Sequence, residues 1–212
     1  MMAILAAYGD PPLAVAIKQA AEALTAGDIV GVPTDTVYGL AADPFHTGAS
    51  DRLFALKRRP RSVELPVLVA SEEEALTLTI AVPAAARRLM ASYWPGALTL
   101  VLPRRPDLNA DLGDDDATVG LRCPGHPVPL ALCNAVGPLA TTSANRHGDQ
   151  PATTASELAS AFGAGVALIL DAGVCNRTAS TVVDCTGQEP RLLREGQLPW
   201  AELAKTAAGQ GG

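Results

Sequence analysis

Aromatic side chains are scarce in this 212-residue chain: three Phe, three Tyr and two Trp, 4% of the total. With so few rings, the core must be built from Ala, Leu and Val, and nucleic-acid bases have little on which to stack. Histidine is scarce too. His46, His126 and His147 stand apart, without the spacing that brings ligands to one metal ion, so each reads as an ordinary loop or surface residue. The four cysteines, Cys123, Cys133, Cys175 and Cys185, form no C-x-x-C pair. That argues against a zinc knuckle and for four reduced, packed thiols. Positive charge is in deficit: 16 Lys and Arg against 22 Asp and Glu leave a net charge of −6. Broad, unspecific binding to nucleic acid is disfavoured, although a local basic patch is still allowed. No apolar run is long enough to span a bilayer. The first ten residues, Met1 to Asp10, lack the basic segment of a signal peptide. No membrane association and a cytoplasmic location are expected.

Familiar chemical signatures are missing as well. There is no G-x-x-x-x-G-K-[ST] phosphate loop, no G-x-G-x-x-G after a strand and no G-x-S-x-G elbow. Walker-type ATP binding, a dinucleotide fold and a serine hydrolase are therefore disfavoured.

What is present is a globular composition, 48% hydrophobic and 18% charged, in a length suited to one core. No repeat or linker divides it. A single domain over 1–212 is expected, with its core at about 13–200 and a frayed tail at 207–212. Apolar positions Leu13, Ile17, Ala20, Ala21 and Leu24 predict a helix over 12–26, closed by Gly27. Further helices are predicted at 51–58, 83–93, 127–136, 154–162 and 199–206. Strands are predicted at 28–32, 65–70, 97–102, 117–121, 139–142, 166–170, 181–184 and 191–193, and the acidic 111–116 stretch is read as a loop. Helices and strands alternate imperfectly, and the last third is rich in strands. The expected fold is α/β: an open, twisted, mixed parallel/antiparallel sheet with flanking helices and a concave ligand cleft.

Polar residues gather at the ends of these elements. Residues 33–40, Pro-Thr-Asp-Thr-Val-Tyr-Gly-Leu, leave the first predicted strand with hydroxyls on Thr34, Thr36 and Tyr38 and a carboxylate on Asp35. They can face a ligand crevice or merely satisfy a turn. Lys57 and Arg59, just before Pro60, can form a phosphate clamp or a solvated helix end favoured by the dipole. Arg122 ends an apolar strand, where it suits a carboxylate or phosphate. Ser143 and Asn145 follow a buried strand, and Ser180, Thr181 and Arg194 repeat the theme. Five such clusters fit one anion-binding crevice.

Seven ordered segments resemble the motifs of the YrdC/TsaC family of L-threonylcarbamoyladenylate synthases, in its short, single-domain form. They are Pro33 to Leu40, Lys57-x-Arg59-Pro60, Trp94-Pro95-Gly96-x-Leu98-Thr99, Val119-Gly120-Leu121-Arg122, Thr142-Ser143-Ala144-Asn145, Ser180-Thr181-Val182-Val183-Asp184 and Leu193-Arg194-x-Gly196. The resemblance runs from about residue 13 to residue 200. It implies an ATP-dependent nucleotidyltransferase that makes threonylcarbamoyl-AMP and pyrophosphate from L-threonine, bicarbonate and ATP. The product feeds N6-threonylcarbamoyl modification of the adenosine beside the anticodon, through downstream proteins that transfer the group to tRNA.

The resemblance also implies site residues. Lys57, Arg59, Ser143 and Asn145 would be catalytic. Those four with Thr118 and Arg194 would hold ATP, and Thr34, Thr36, Tyr38, Arg122, Thr141 and Ser180 would hold threonine. Mg²⁺ would arrive with the phosphates, with no metal site of the protein's own, and the protein would be a monomer. Two alternatives stay open: a ribosome-associated RNA-binding module using Lys57 to Arg61, and a paralogue that uses carbamoyl-adenylate chemistry on another acceptor. The chain departs from the family pattern at His147-Gly148 and at Cys175-Asn176-Arg177-Thr178-Ala179. Both departures are expected near the nucleotide or threonine pocket, where they bear on substrate choice. Longer members carry a linker and a second domain that help close the site.

Overall fold

The computed structural model describes residues 2–146, 149–175 and 178–210. The elements run β1 (Ala3–Ala6), α1 (Ala14–Thr25), β2 (Val30–Val32), β3 (Gly39–Ala42), α2 (Ala49–Lys57), β4 (Val67–Leu68), α3 (Glu72–Leu76) and α4 (Ala84–Tyr93). They continue β5 (Leu98–Pro103), β6 (Thr118–Arg122), α5 (Pro127–Val136), β7 (Leu139–Ser143), α6 (Ala155–Phe162), β8 (Leu168–Asp171), β9 (Thr181–Asp184), β10 (Arg191–Arg194) and α7 (Trp200–Ala207). All ten strands join one open sheet in the order β1-β8-β2-β3-β7-β4-β6-β5-β9-β10. The pairs β1·β8, β2·β8, β4·β6 and β5·β9 are parallel, and the other five are antiparallel.

Both faces of the sheet are covered, because successive strand side chains point to opposite sides. Leu168 and Leu170 join a cluster with Ala16, Ala20 and Leu24 of α1 and Val128, Leu132 and Cys133 of α5. Ile169 between them joins the opposite cluster, with Leu53 and Phe54 of α2, Leu89 and Met90 of α4, Phe162 of α6 and Leu203 of α7. All four cysteines are buried and free. No helix among the described residues is long and apolar enough to cross a membrane.

Every helix and strand expected from the sequence is present, with ends that differ by up to two residues in either direction. In α1 the buried stripe is Ala16, Ala20 and Leu24, four residues apart; Leu13 precedes the helix and is half exposed. Three elements were not expected. Strand β1 is a four-residue edge strand with no polar alternation. Helix α3 is a short acidic turn, capped where Ser71 Oγ accepts from Glu74 N (3.2 Å) and Glu74 reaches back to Ala70 N (2.6 Å). Strand β3 is made by the end of the polar octapeptide, which pairs antiparallel with both β2 and β7. Past α7, the amides of Ala208, Gly209 and Gln210 still donate to carbonyls of the last turn.

Candidate active site

The octapeptide is the connection between β2 and β3, and its hydroxyls form a directed chain. Arg122 Nη1 donates to Thr36 Oγ1 at 3.0 Å. A guanidinium can only donate, and Thr34 Oγ1 already donates to Val37 O at 2.6 Å. The Thr36 hydroxyl therefore donates to Thr34 Oγ1 at 2.9 Å. Thr34 Oγ1 also accepts from the amides of Thr36 and Val37. The turn and the crevice are thus the same structure: Thr34 closes the turn, and both threonines line a cavity of about 140 Å³.

Arg122 is the last residue of β6 and is buried. Its Nε donates to Gly96 O (3.0 Å) and its Nη2 to Asp35 Oδ1 (2.6 Å). The Trp-Pro-Gly turn supplies that carbonyl. Gly96 N is bonded to Cys123 O (2.8 Å), and Trp94 Nε1 donates to Leu98 O (2.8 Å). Three of the five N–H donors of Arg122 are spent inside the protein. Two remain, the number that a carboxylate can accept bidentately.

The opposite wall comes from β9 and β10. Arg194 holds Ser180 by its carbonyl (2.9 Å) and its hydroxyl (3.2 Å), and Thr99 meets the same hydroxyl at 3.0 Å. Buried Thr181 ties down the turn after Arg194, accepting from Gly196 N and Leu198 N. Gly196 is required there, since a side chain would collide with the carbonyls of residues 179 and 180.

The basic run divides at Arg58, which adopts the left-handed conformation at φ 52°. Arg58 N bonds to Ala55 O and Arg59 N to Phe54 O, a Schellman-type ending for α2. Lys57 is buried, Arg58 is exposed and Arg59 returns to the cleft. Lys57 Nζ donates to Ser143 O and, at 3.4 Å, to Asn145 Oδ1. Ser143 Oγ donates to the same Asn145 oxygen at 2.5 Å. Arg61 points elsewhere: its guanidinium lies 2.5 Å from Asp51, 2.5 Å from Asp111 and 3.3 Å from Asp114.

The cleft cations feel one another. Burial, then Arg59, lowers the Lys57 ammonium to about 8. Burial followed by Arg194 lowers Arg59, and burial followed by Arg122 lowers Arg194. For Arg122 burial also lowers the pKa, opposed by Asp35. Lys57, Arg59, Arg194 and Arg122 thus form a row of positive charges, each feeling the next, and the three arginines line the cavity.

Of the sequence-predicted residues, Thr34, Thr36, Tyr38, Arg59, Arg122, Thr141, Ser143, Ser180 and Arg194 line the cavity. Lys57 and Asn145 are bonded to Ser143 but do not line this cavity; Asn145 lines a neighbouring one with Arg146, Asp149 and Thr153. Tyr38 is fully buried, and its hydroxyl is turned away to donate to Gly173 O (2.8 Å) beside Asp171. Thr141 donates its hydroxyl to Leu139 O. Thr118 starts β6, four residues from Arg122, where it bonds to Glu64 (3.3 Å) and lies outside the cavity wall. His147, Gly148, Asn176 and Arg177 lie outside the described residues.

Sequence reasoning gave no role to Asp35, Gly96, Thr99 or Thr142. All four were already in sight within their motifs. Only the fold shows that Asp35 meets Arg122 from 87 positions away.

An open mixed sheet with a cationic cleft at its strand ends defines the class. The Sua5/YciO/YrdC family model, described as telomere recombination, matches residues 22–196. The chain belongs to this family. A Mycobacterium tuberculosis protein provisionally named a threonylcarbamoyl-AMP synthase is 44% identical over 190 residues, 89% of this chain and 88% of its own. The Bacillus subtilis threonylcarbamoyl-AMP synthase is 39% identical over 185 residues, 86% of this chain and 54% of its own length. Among solved structures, Pyrococcus abyssi Sua5 complexed with L-threonine has a TM-score of 0.88 at 33% identity, covering 98% of this chain and 61% of that one.

Proposed function

We propose that this chain is a threonylcarbamoyl-AMP synthase, a nucleotidyltransferase acting on L-threonine, bicarbonate and ATP. The observation that carries the reading is the small hydroxyl-lined pocket closed by Arg122, set against the row Lys57, Arg59 and Arg194. The threonine amine adds to bicarbonate carbon with loss of water, giving a carbamate. A carbamate oxygen then attacks the α-phosphorus of ATP, the bond to the β-phosphate breaks, and pyrophosphate leaves. Such chemistry rests on positioning and charge stabilisation.

Each residue has a part. The two spare N–H groups of Arg122 take the threonine carboxylate. The Thr36 oxygen keeps a lone pair for the substrate amine, since its own proton is committed to Thr34. Lys57, Arg59 and Arg194 offset phosphate charge. Ser143 and Asn145 hold Lys57 in place and face the nucleotide, with Thr118 on the nucleotide side. Mg²⁺ enters as part of the MgATP substrate. Among the described residues no group of three or more His, Cys, Asp or Glu is placed to hold a metal ion. The RNA-binding alternative draws little support from the basic run, because Lys57 and Arg59 turn inward and Arg61 is held by three aspartates. The product would serve proteins that transfer threonylcarbamoyl to tRNA.

The test is to incubate the protein with ATP, bicarbonate and each amino acid in turn, then search for AMP-linked carbamate by mass spectrometry. Threonylcarbamoyl-AMP is expected with threonine alone. Products of equal yield from unrelated amino acids would defeat the assignment.

A further inference from the structure

The four cleft cations are not equivalent. Lys57 donates to Ser143 O and Asn145 Oδ1, Arg59 to the carbonyls of Val63 and Glu64, and Arg194 to Ser180. All these acceptors are neutral. Among the described residues only Arg122 of the four has a carboxylate partner, Asp35, at 2.6 Å, with side chains 8% and 17% exposed. Asp35 does not line the cavity. It stands beyond Arg122, and a side chain at Gly125 would press on its other oxygen. A ligand can therefore reach Arg122 while the Asp35 charge stays in place.

We infer that Asp35 is a specificity-determining residue: its fixed charge reserves the Arg122 end of the cleft for a carboxylate and confines phosphate to the Lys57–Arg59–Arg194 end. The inference rests on the threonylcarbamoyl-AMP reading and deepens it. Attraction to a bare arginine grows with the charge of the anion. A doubly charged oxyanion would then outbid a carboxylate at Arg122, and threonine would compete with phosphate for its own pocket. The Arg122–Asp35 pair is close to neutral as a unit, so this advantage vanishes while the cost of desolvating the larger charge remains. What is left is directional: two N–H groups that fit the two oxygens of a planar carboxylate. Specificity of this kind comes from weakening the wrong ligand rather than strengthening the right one.

The experiment is a calorimetric titration of L-threonine, and separately of ATP, in chloride and in sulfate buffers of equal ionic strength. Sulfate is the probe for a doubly charged tetrahedral oxyanion. For the wild-type protein, sulfate is expected to weaken ATP binding and to leave the threonine Kd within about twofold. For Asp35→Asn, which keeps the shape and an acceptor oxygen but loses the charge, sulfate is expected to raise the apparent threonine Kd by about tenfold or more. Sulfate displacing threonine from the wild-type protein would overturn the inference, and so would threonine binding in Asp35→Asn that ignores sulfate. Should the variant not fold, the wild-type comparison still decides. If the wild-type protein does not bind threonine at all, the functional reading fails, an outcome distinct from either sulfate result.

Discussion

Lys57 is a long, ordinarily solvated side chain that the fold has buried against a strand-end carbonyl. Its ammonium is lowered from 10.5 to about 8, first by burial and then by Arg59. The sign of the consequence is fixed. Between pH 8 and 10.5 the unfolded chain still holds this proton and the folded chain does not, so this group makes stability rise with pH in that window. Below pH 8 the empty protein carries the cost of the buried charge. ATP phosphates favour the charged form, so binding ATP raises this pKa. We expect kcat/KM for ATP to fall as pH rises above about 8, with the matching limb in kcat at higher pH. A kcat/KM for ATP that stays flat to about pH 10 would contradict this role. Substitution separates the neighbours. Lys57→Ala and Arg59→Ala are each expected to reduce turnover by at least about tenfold, roughly 1.4 kcal/mol of transition-state stabilisation. Arg58→Ala should stay near wild type, because that side chain is exposed. Three equal, modest and salt-sensitive losses in pyrophosphate release would instead mark a diffuse basic patch.

At the scale of elements, the ending of α2 sorts the basic run. Pro60 by itself biases Arg59 toward an extended backbone, which would put Lys57 and Arg59 on one face. The sorting seen in the fold coincides with a left-handed residue at Arg58, a conformation that costs a side-chain-bearing residue roughly 1–2 kcal/mol. Arg58→Gly is therefore expected to raise stability by about 0.5–1 kcal/mol after the added entropy of the unfolded chain is subtracted. Turnover should be unchanged. A lower melting temperature would mean that the Arg58 side chain makes a stabilising contact of its own. Other elements show which signals a sequence carries. Helices α4 and α5 were legible because apolar spacing and flanking proline or glycine agreed. Strand β3 was hidden because it starts inside a motif that reads as a polar turn, and its Gly-Leu-Ala-Ala residues show no alternation. Strand β1 was missed because four small or apolar residues at an edge have no period to detect. Helix α3 was missed because three successive glutamates resemble a solvated loop.

For the molecule as a whole, the sheet order decides what becomes a site. Residues from position 34 to position 194 meet because β3, β7, β4, β6, β5, β9 and β10 are consecutive in the sheet, although their order there is not their order in the chain. The polar strand ends and a mixed, open sheet were legible in the sequence. Pairings such as Asp35 with Arg122, or Lys57 with Ser143, could not be read from it, because they depend on crossovers that local patterning does not encode. A chain with net charge −6 still gathers four cations in one cleft. Its acidic surplus sits elsewhere, in part around Arg61 at Asp51, Asp111 and Asp114. This distribution fits a protein that admits a polyanionic nucleotide at one place without attracting nucleic acid broadly. In the proposed reaction, a carbamate built from threonine and bicarbonate attacks ATP in this cleft. The most direct test is steady-state pyrophosphate release from ATP with threonine, bicarbonate, both or neither. Release is expected only when both are present; pyrophosphate formed equally fast without threonine rules the reaction out.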